Sequence, residues 1–240
     1  MQTFLRNGRR VAATLLLAAG IAPAAAQPAG LATLLQIVNK QQPPPPVPSL
    51  MPELLARTQK AAQAEGRCVP AAITIAPLQP ASASQEALPM ITHNEIRNAW
   101  TTSASAVGCP GALPERFLVI RIPPDDAIKV IGVVAGTTLT SFAQMKDASK
   151  AAGEAALAAG QAKDPACTAD GMDILTTRVV REHPGLGPDF YGVRLTGSWD
   201  EVWTLKLCNG RATVPITFTA DGNAGATTAI DPGGVTFARP

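Results

Sequence analysis

Apolar residues recur along this chain in more than one rhythm, and each rhythm predicts a kind of element. Residues 49–64 place Leu50, Leu54, Leu55 and Ala61 at helical spacing before Gly66, which predicts a helix laid against the module that follows. Residues 141–162 give the clearest helix: Ser141-x-x-Gln144 has the capping-box form, Phe142, Met145 and Leu157 carry the larger apolar groups, and nine alanines supply propensity. Its apolar stripe is thin, so it is expected to connect two modules. A further helix is expected over residues 92–105, because Thr92-x-x-Glu95 is a capping-box pattern and Ile96 and Trp100 stand four apart.

Elsewhere the rhythm is that of strands. Residues 71–75 read as a short strand, and residues 117–122 and 127–134 as two more, joined by Pro123-Pro124-Asp125-Asp126 and lacking alternation, as strands buried on both faces do. Gly136 is expected to close this first module. Residues 174–180 and 192–208 continue the β pattern, and residues 211–220 put Ala212, Val214, Ile216 and Phe218 on one face. Asp221-Gly222 signals a hairpin into residues 226–230. Pro215 cannot donate to a ladder, which predicts an edge strand or a bulge there.

The ends and joints differ in composition. Residues 1–26 have the basic start (Arg6, Arg9, Arg10), apolar stretch and Ala24-Ala25-Ala26 of a cleavable export signal, with an apolar run too short to span a bilayer. Residues 27–66 are expected to form a spacer, stiffened by Pro43 to Pro46, that ends in the helix already described. The expected division is then a first α+β module over 67–140, a connecting helix over 141–165 and a C-terminal β-rich module over 166–240.

Export changes the meaning of the cysteines. Cys68, Cys109, Cys167 and Cys208 fall at equal intervals, 41 residues within each successive pair, so the simplest reading is one disulfide per module. A loop of that length stabilises its module by about 4 kcal/mol in the chain-entropy picture. Closely spaced ligand pairs are missing, so no metal site is expected. The same offset of 99 residues relates Cys68 to Cys167, Trp100 to Trp199 and Cys109 to Cys208, which raises the question of an internal repeat. A helix around Trp100 and a strand around Trp199 argue against one, and the offset reads as coincidence.

Overall the chain is an ordinary globular composition, 46% apolar and 16% charged. Losing the export signal removes three arginines and no acid, which moves the formal charge from +2 to −1. A near-neutral protein without a basic cluster lacks the footprint for nucleic acid or anionic membranes. The partner expected is an envelope or extracellular one, with no nucleic acid, no membrane span and no cofactor.

Candidate chemistry is sparse. His93 and His183 are the only histidines, each a candidate general base for hydrolysis of an envelope polymer. The most distinctive string is Trp199-Asp200-Glu201-Val202-Trp203. On a strand, Trp199, Glu201 and Trp203 share a face, and a carboxylate between two indoles suits a glycan or peptide ligand, or else the core. This W-x-E-x-W string, with Cys208, Val214, Phe218, Asp221 and Gly222 after it, resembles the C-terminal region of small exported proteobacterial proteins of unknown function; the resemblance implies export and brings no activity. The chain is expected to be a periplasmic or secreted α+β protein of two disulfide-closed modules, the second mainly antiparallel β, and a non-catalytic envelope or interaction protein rather than an enzyme.

Overall fold

Two mainly antiparallel sheets, each with one long helix on one face, make up the protein in a computed structural model that describes residues 35, 36, 38–84 and 87–239. The export signal expected over residues 1–26 lies outside the described residues. Among the described residues no helix is long and apolar enough to cross a membrane.

In the first module, helix α1 (Val47–Ala64) buries Leu50, Leu54, Thr58 and Ala62, one residue per turn. It lies on a sheet of β1 (Ala72–Ile75), β3 (Asn98–Val107), β4 (Glu115–Ile122) and β5 (Ala127–Val133), in that order, with β2 (Gln79–Pro80) pairing β3. Leu50 and Leu54 pack on Ile73, Trp100, Phe117, Val119 and Val130. The opposite face is covered too: the short helix α2 (Ala87–Thr92) and its flanks bring Ala81, Ala87 and Ile96 against Ala99 and Ile120.

This corrects the helix expected over residues 92–105, most of which is β3. Asn98, Trp100, Thr102 and Ala104 alternate inward with Thr101 and Ser103 between them, while Ile96 lies ahead of the strand and packs with Ala99 on the opposite face. Pairing with residues 115–121 then decides the matter, because a strand's ladder is completed by residues distant in sequence. Nor do the prolines form a free spacer. Pro45 is buried, and Gln41 and Gln42 are bonded to Ser82 and Arg121.

The second module has α3 (Phe142–Gln161), with the expected Ser141–Gln144 capping box, on a sheet ordered β10-β9-β8-β7-β6. These are β6 (Ala135–Gly136), β7 (Asp173–Glu182), β8 (Ser198–Leu207), β9 (Gly210–Ala220) and β10 (Ala226–Ile230), and β11 (Thr236–Ala238) also pairs β9. Two boundaries are thereby corrected. Helix α3 is no connector, since Met145, Ala148, Ala152 and Ala156 pack on Trp199, Trp203, Val214 and Phe218. Its thin stripe is what lets it lie close to the sheet: a Cβ on Gly160 would come within 2.7 Å of Cys167 Sγ. Residues 135–141 likewise belong to the second module, because β6 is an edge of its sheet.

Both disulfides form as expected, Cys68–Cys109 and Cys167–Cys208. Each fastens the chain just ahead of the strand that pairs with the tryptophan-bearing strand, β1 in the first module and β7 in the second, to the end of the tryptophan-bearing strand. The modules are also alike in register. Trp100 faces Val119 and Thr102 faces Phe117, while Trp199 faces Phe218 and Glu201 faces Ile216. Adding 99 to every residue of the first hairpin yields the second. Helix, strand, tryptophan strand, strand and strand follow in the same order in each half, so the offset is a structural repeat and not coincidence.

Pro215 also departs from expectation, since β9 is flanked on both sides. Counting back from the two-residue turn at Cys208-Asn209, Pro215 and Val202 form a non-hydrogen-bonded pair, so the proline nitrogen faces away from β8. On that side the ladder is broken between Ile216, paired to β10, and Thr213, paired to β11. The missing donor therefore falls at a local edge.

Candidate functional site

The W-x-E-x-W string lies on β8, and alternation places Trp199, Glu201 and Trp203 on the face beneath α3. All three are 0% exposed. Glu201 accepts four hydrogen bonds: from Trp199 Nε1 at 3.0 Å, Trp203 Nε1 at 2.9 Å, Thr138 Oγ1 at 2.5 Å and the Leu139 backbone N–H at 2.9 Å. The Trp199 ring stacks on Phe218 with 5.4 Å between centroids. Of the two readings that the string allows, a ligand platform or the core, the burial of all three side chains fits the core. No ring face is open, and the carboxyl binds two indoles and the segment arriving from the first module, which makes the motif a clamp inside the core.

The other face of β8 is the accessible one. Asp200, Val202, Thr204 and Lys206 point away from α3, and none of them is buried. Across the register, Thr176, Thr204, Thr213 and Thr236 form one row over four strands, about 14 Å wide at the usual strand spacing. On either side of it the same face carries Arg178, Arg181, Lys206 and Arg211, with Asp173 and Asp200 as its acids. At the repeat offset, Leu118 and Ile120 of the covered first sheet become Thr217 and Thr219 here. The change from apolar to hydroxyl follows the change from covered to open.

The two histidines fare differently. His93 is exposed just beyond α2. His183 sits at the start of the β7–β8 connection with Nε2 3.0 Å from Asp200 Oδ1, and Thr217 Oγ1 donates to the same oxygen at 2.8 Å. Burial alone would raise the Asp200 carboxyl, but the bonds from His183 and Thr217, with the charges of His183 and Arg181, outweigh it and hold the carboxyl below its ordinary range. The arrangement orients an imidazole by a carboxylate, which is half of an acyl-transfer apparatus. Among the described residues the one side-chain hydroxyl bonded to this pair, that of Thr217, gives its proton to Asp200 and not to the imidazole, so it is not set up as a nucleophile. Asp125 and Asp126 lie in the β4–β5 turn, where Asp126 pairs with Arg97 at 2.9 Å. Among the described residues no three His, Cys, Asp or Glu side chains are gathered as a metal would require.

Compared with family models, with curated proteins and with solved structures, the chain matches none. The functional reading therefore rests on geometry. Sequence reasoning passed over the threonine row, because its members are far apart in the chain. It also left His183 and Asp200 separate. The one signal available was the even-numbered alternation of β8, which marks Asp200, Val202, Thr204 and Lys206 as a face of their own.

Proposed function

We propose that this is an exported, non-catalytic envelope or interaction protein, periplasmic or secreted, that presents the outer face of its C-terminal sheet to an acidic envelope polymer. The observation that carries this reading is the contrast between the two copies of the module. The first sheet has both faces covered by the chain itself, whereas the second has one face that no described element covers, with threonines in a row and four cations to two acids. Two disulfides in separate modules support export. Replacing Arg178, Arg181, Lys206 and Arg211 together by Gln tests it. The unaltered protein is expected to co-sediment with isolated cell-wall polymer at low salt and less at high salt, and the variant to remain in solution. Equal sedimentation of the two would refute the assignment.

The His183–Asp200 pair favours a second reading, hydrolysis of such a polymer with His183 as general base. His183→Ala would then abolish a turnover that the unaltered protein shows on a panel of envelope polymers, and no such loss occurs if the face only binds.

A further inference from the structure

The first module holds a group of buried polar atoms without partners, and the one among them with a polar counterpart in the second module, the Trp100 indole, is satisfied there. Asn98 is 1% exposed, and neither atom of its amide has a hydrogen-bond partner. Two residues along the same face of β3, the indole N–H of fully buried Trp100 has none, and neither has Nε of Arg121. These groups are neighbours: Arg121 faces Asn98 in the β3–β4 register, and its guanidinium carbon lies 5.4 Å from the Trp100 ring centroid. Native interiors meet such atoms with a partner in the great majority of cases, so a concentration of them on three adjoining residues points to a ligand.

The repeat indicates its chemistry. Trp199, the equivalent of Trp100, donates its indole N–H to Glu201. At the equivalent of Glu201 the first module has Thr102, whose hydroxyl donates to the Ala76 carbonyl at 2.7 Å. The second copy thus carries its own acid beside the indole, and the first has the indole donor and a guanidinium but no acid. A cavity of about 430 Å³ lies beside Asn98, with Lys40, Gln42, Asn94 and Arg97 in its wall; the charged residues lining it are both cations. On its near side the proline-rich segment supplies Arg121 with neutral oxygens only, the Gln42 side-chain oxygen and the Pro43 carbonyl at 3.3 Å. A carboxylate is the stronger partner for a guanidinium.

We propose that Asn98, Trp100 and Arg121 form a binding site for a small carboxylate that also bears an amide, such as an N-acylated amino acid or the C-terminal end of a short peptide. The ligand enters by the cavity and takes the place of Gln42 and Pro43 on Arg121. Its carboxylate accepts from the guanidinium and from the Trp100 indole, as Glu201 does from Trp199, and its amide meets the donor and acceptor of Asn98. This site lies on the other module from the face assigned above, and its test is independent of that assignment.

The three tryptophans make the test selective, because each indole N–H gives its own signal in a two-dimensional nitrogen–proton NMR spectrum of the oxidised mature protein. The probe is N-acetylglycine, with its methyl ester as the control that lacks the charge. The acid is expected to move the Trp100 signal saturably, leave those of Trp199 and Trp203 in place, and act far more strongly than the ester. Arg121→Gln should weaken the effect by about tenfold to a hundredfold, with unchanged Trp199 and Trp203 signals reporting an intact second module. Gln42→Ala, which removes the competing oxygen without touching the ligand groups, should tighten it, so the proposal remains open to refutation even if the arginine variant folds poorly. A Trp100 signal unmoved by the acid, moved equally by the ester, or moved only together with the other two would overturn the site.

Discussion

Trp100 and Trp199 hold the same station in two hairpins of identical register, one opposite Val119 and the other opposite Phe218, yet only Trp199 has an acid to receive its indole proton. The two halves share a scaffold and differ in what was placed upon it. That difference organises the expected behaviour of the protein.

Each disulfide is local to its own module, so their removal should act locally. Replacing Cys68 and Cys109 by Ser is expected to destabilise the first module by about 4 kcal/mol. Urea unfolding should then show two separated transitions, with emission from Trp100 changing before that of the other tryptophans. One shared transition at an unchanged midpoint would contradict the modular picture.

Glu201 gathers four hydrogen-bond donors inside the core of the second module. Glu201→Ala leaves two indole donors and the Leu139 N–H unpaired in a buried site, at a cost of about 3 kcal/mol or more. Glu201→Gln keeps the volume but turns a donor toward donors, and should lie between the two. Denaturant midpoints of the three proteins give the order directly, and an alanine variant as stable as the parent would remove the clamp from the account.

The modules meet where Gly192, at φ +96°, leaves room for Ala81: a Cβ on Gly192 would come within 2.8 Å of Ala81 Cα. Gly192→Ala therefore meets both a backbone penalty and a clash, together about 2 kcal/mol or more. The Ala83 N–H bond to the Tyr191 carbonyl, 3.0 Å in length, lies at the same joint and should lose protection from hydrogen exchange in the variant.

Asp200 links stability to acid. Its carboxyl lies below the ordinary range in the folded protein, so it contributes stability above the unfolded-state value of roughly 3.9 and that contribution disappears as pH falls through the lower folded value. Asp200→Asn should abolish this contribution at neutral pH and flatten the acid limb of the stability curve. Thermal melts of both proteins from neutral pH down through the carboxylate range make the comparison, and parallel curves would show that His183 and Thr217 do not stabilise the charged form.

Much of the fold was legible locally. The Ser141–Gln144 box starts α3 where the pattern placed it, and the alternation of Ala212, Val214, Ile216 and Phe218 buries that face of β9. The helix expected over residues 92–105 is an error, since a four-residue spacing is also an even one and cannot choose between the two periods; Ile96 precedes β3 and packs on the face opposite Trp100. The error concealed the repeat as well, since the two tryptophans then sat on elements of different type.

By itself the sequence determined the caps, the turns, the alternation along each strand and the division of the cysteines into two equal intervals, because all of these are set by residues within a few positions of one another or by simple spacing. Only the tertiary structure decided which side of β8 is interior, to which module α3 belongs, and that Thr176, Thr204, Thr213 and Thr236 stand in a row. Alternation separates a strand's side chains into two sets without saying which is covered. The answer comes from a helix and neighbouring strands far away in the chain, whose packing and hydrogen bonds outweigh the preferences of any short segment.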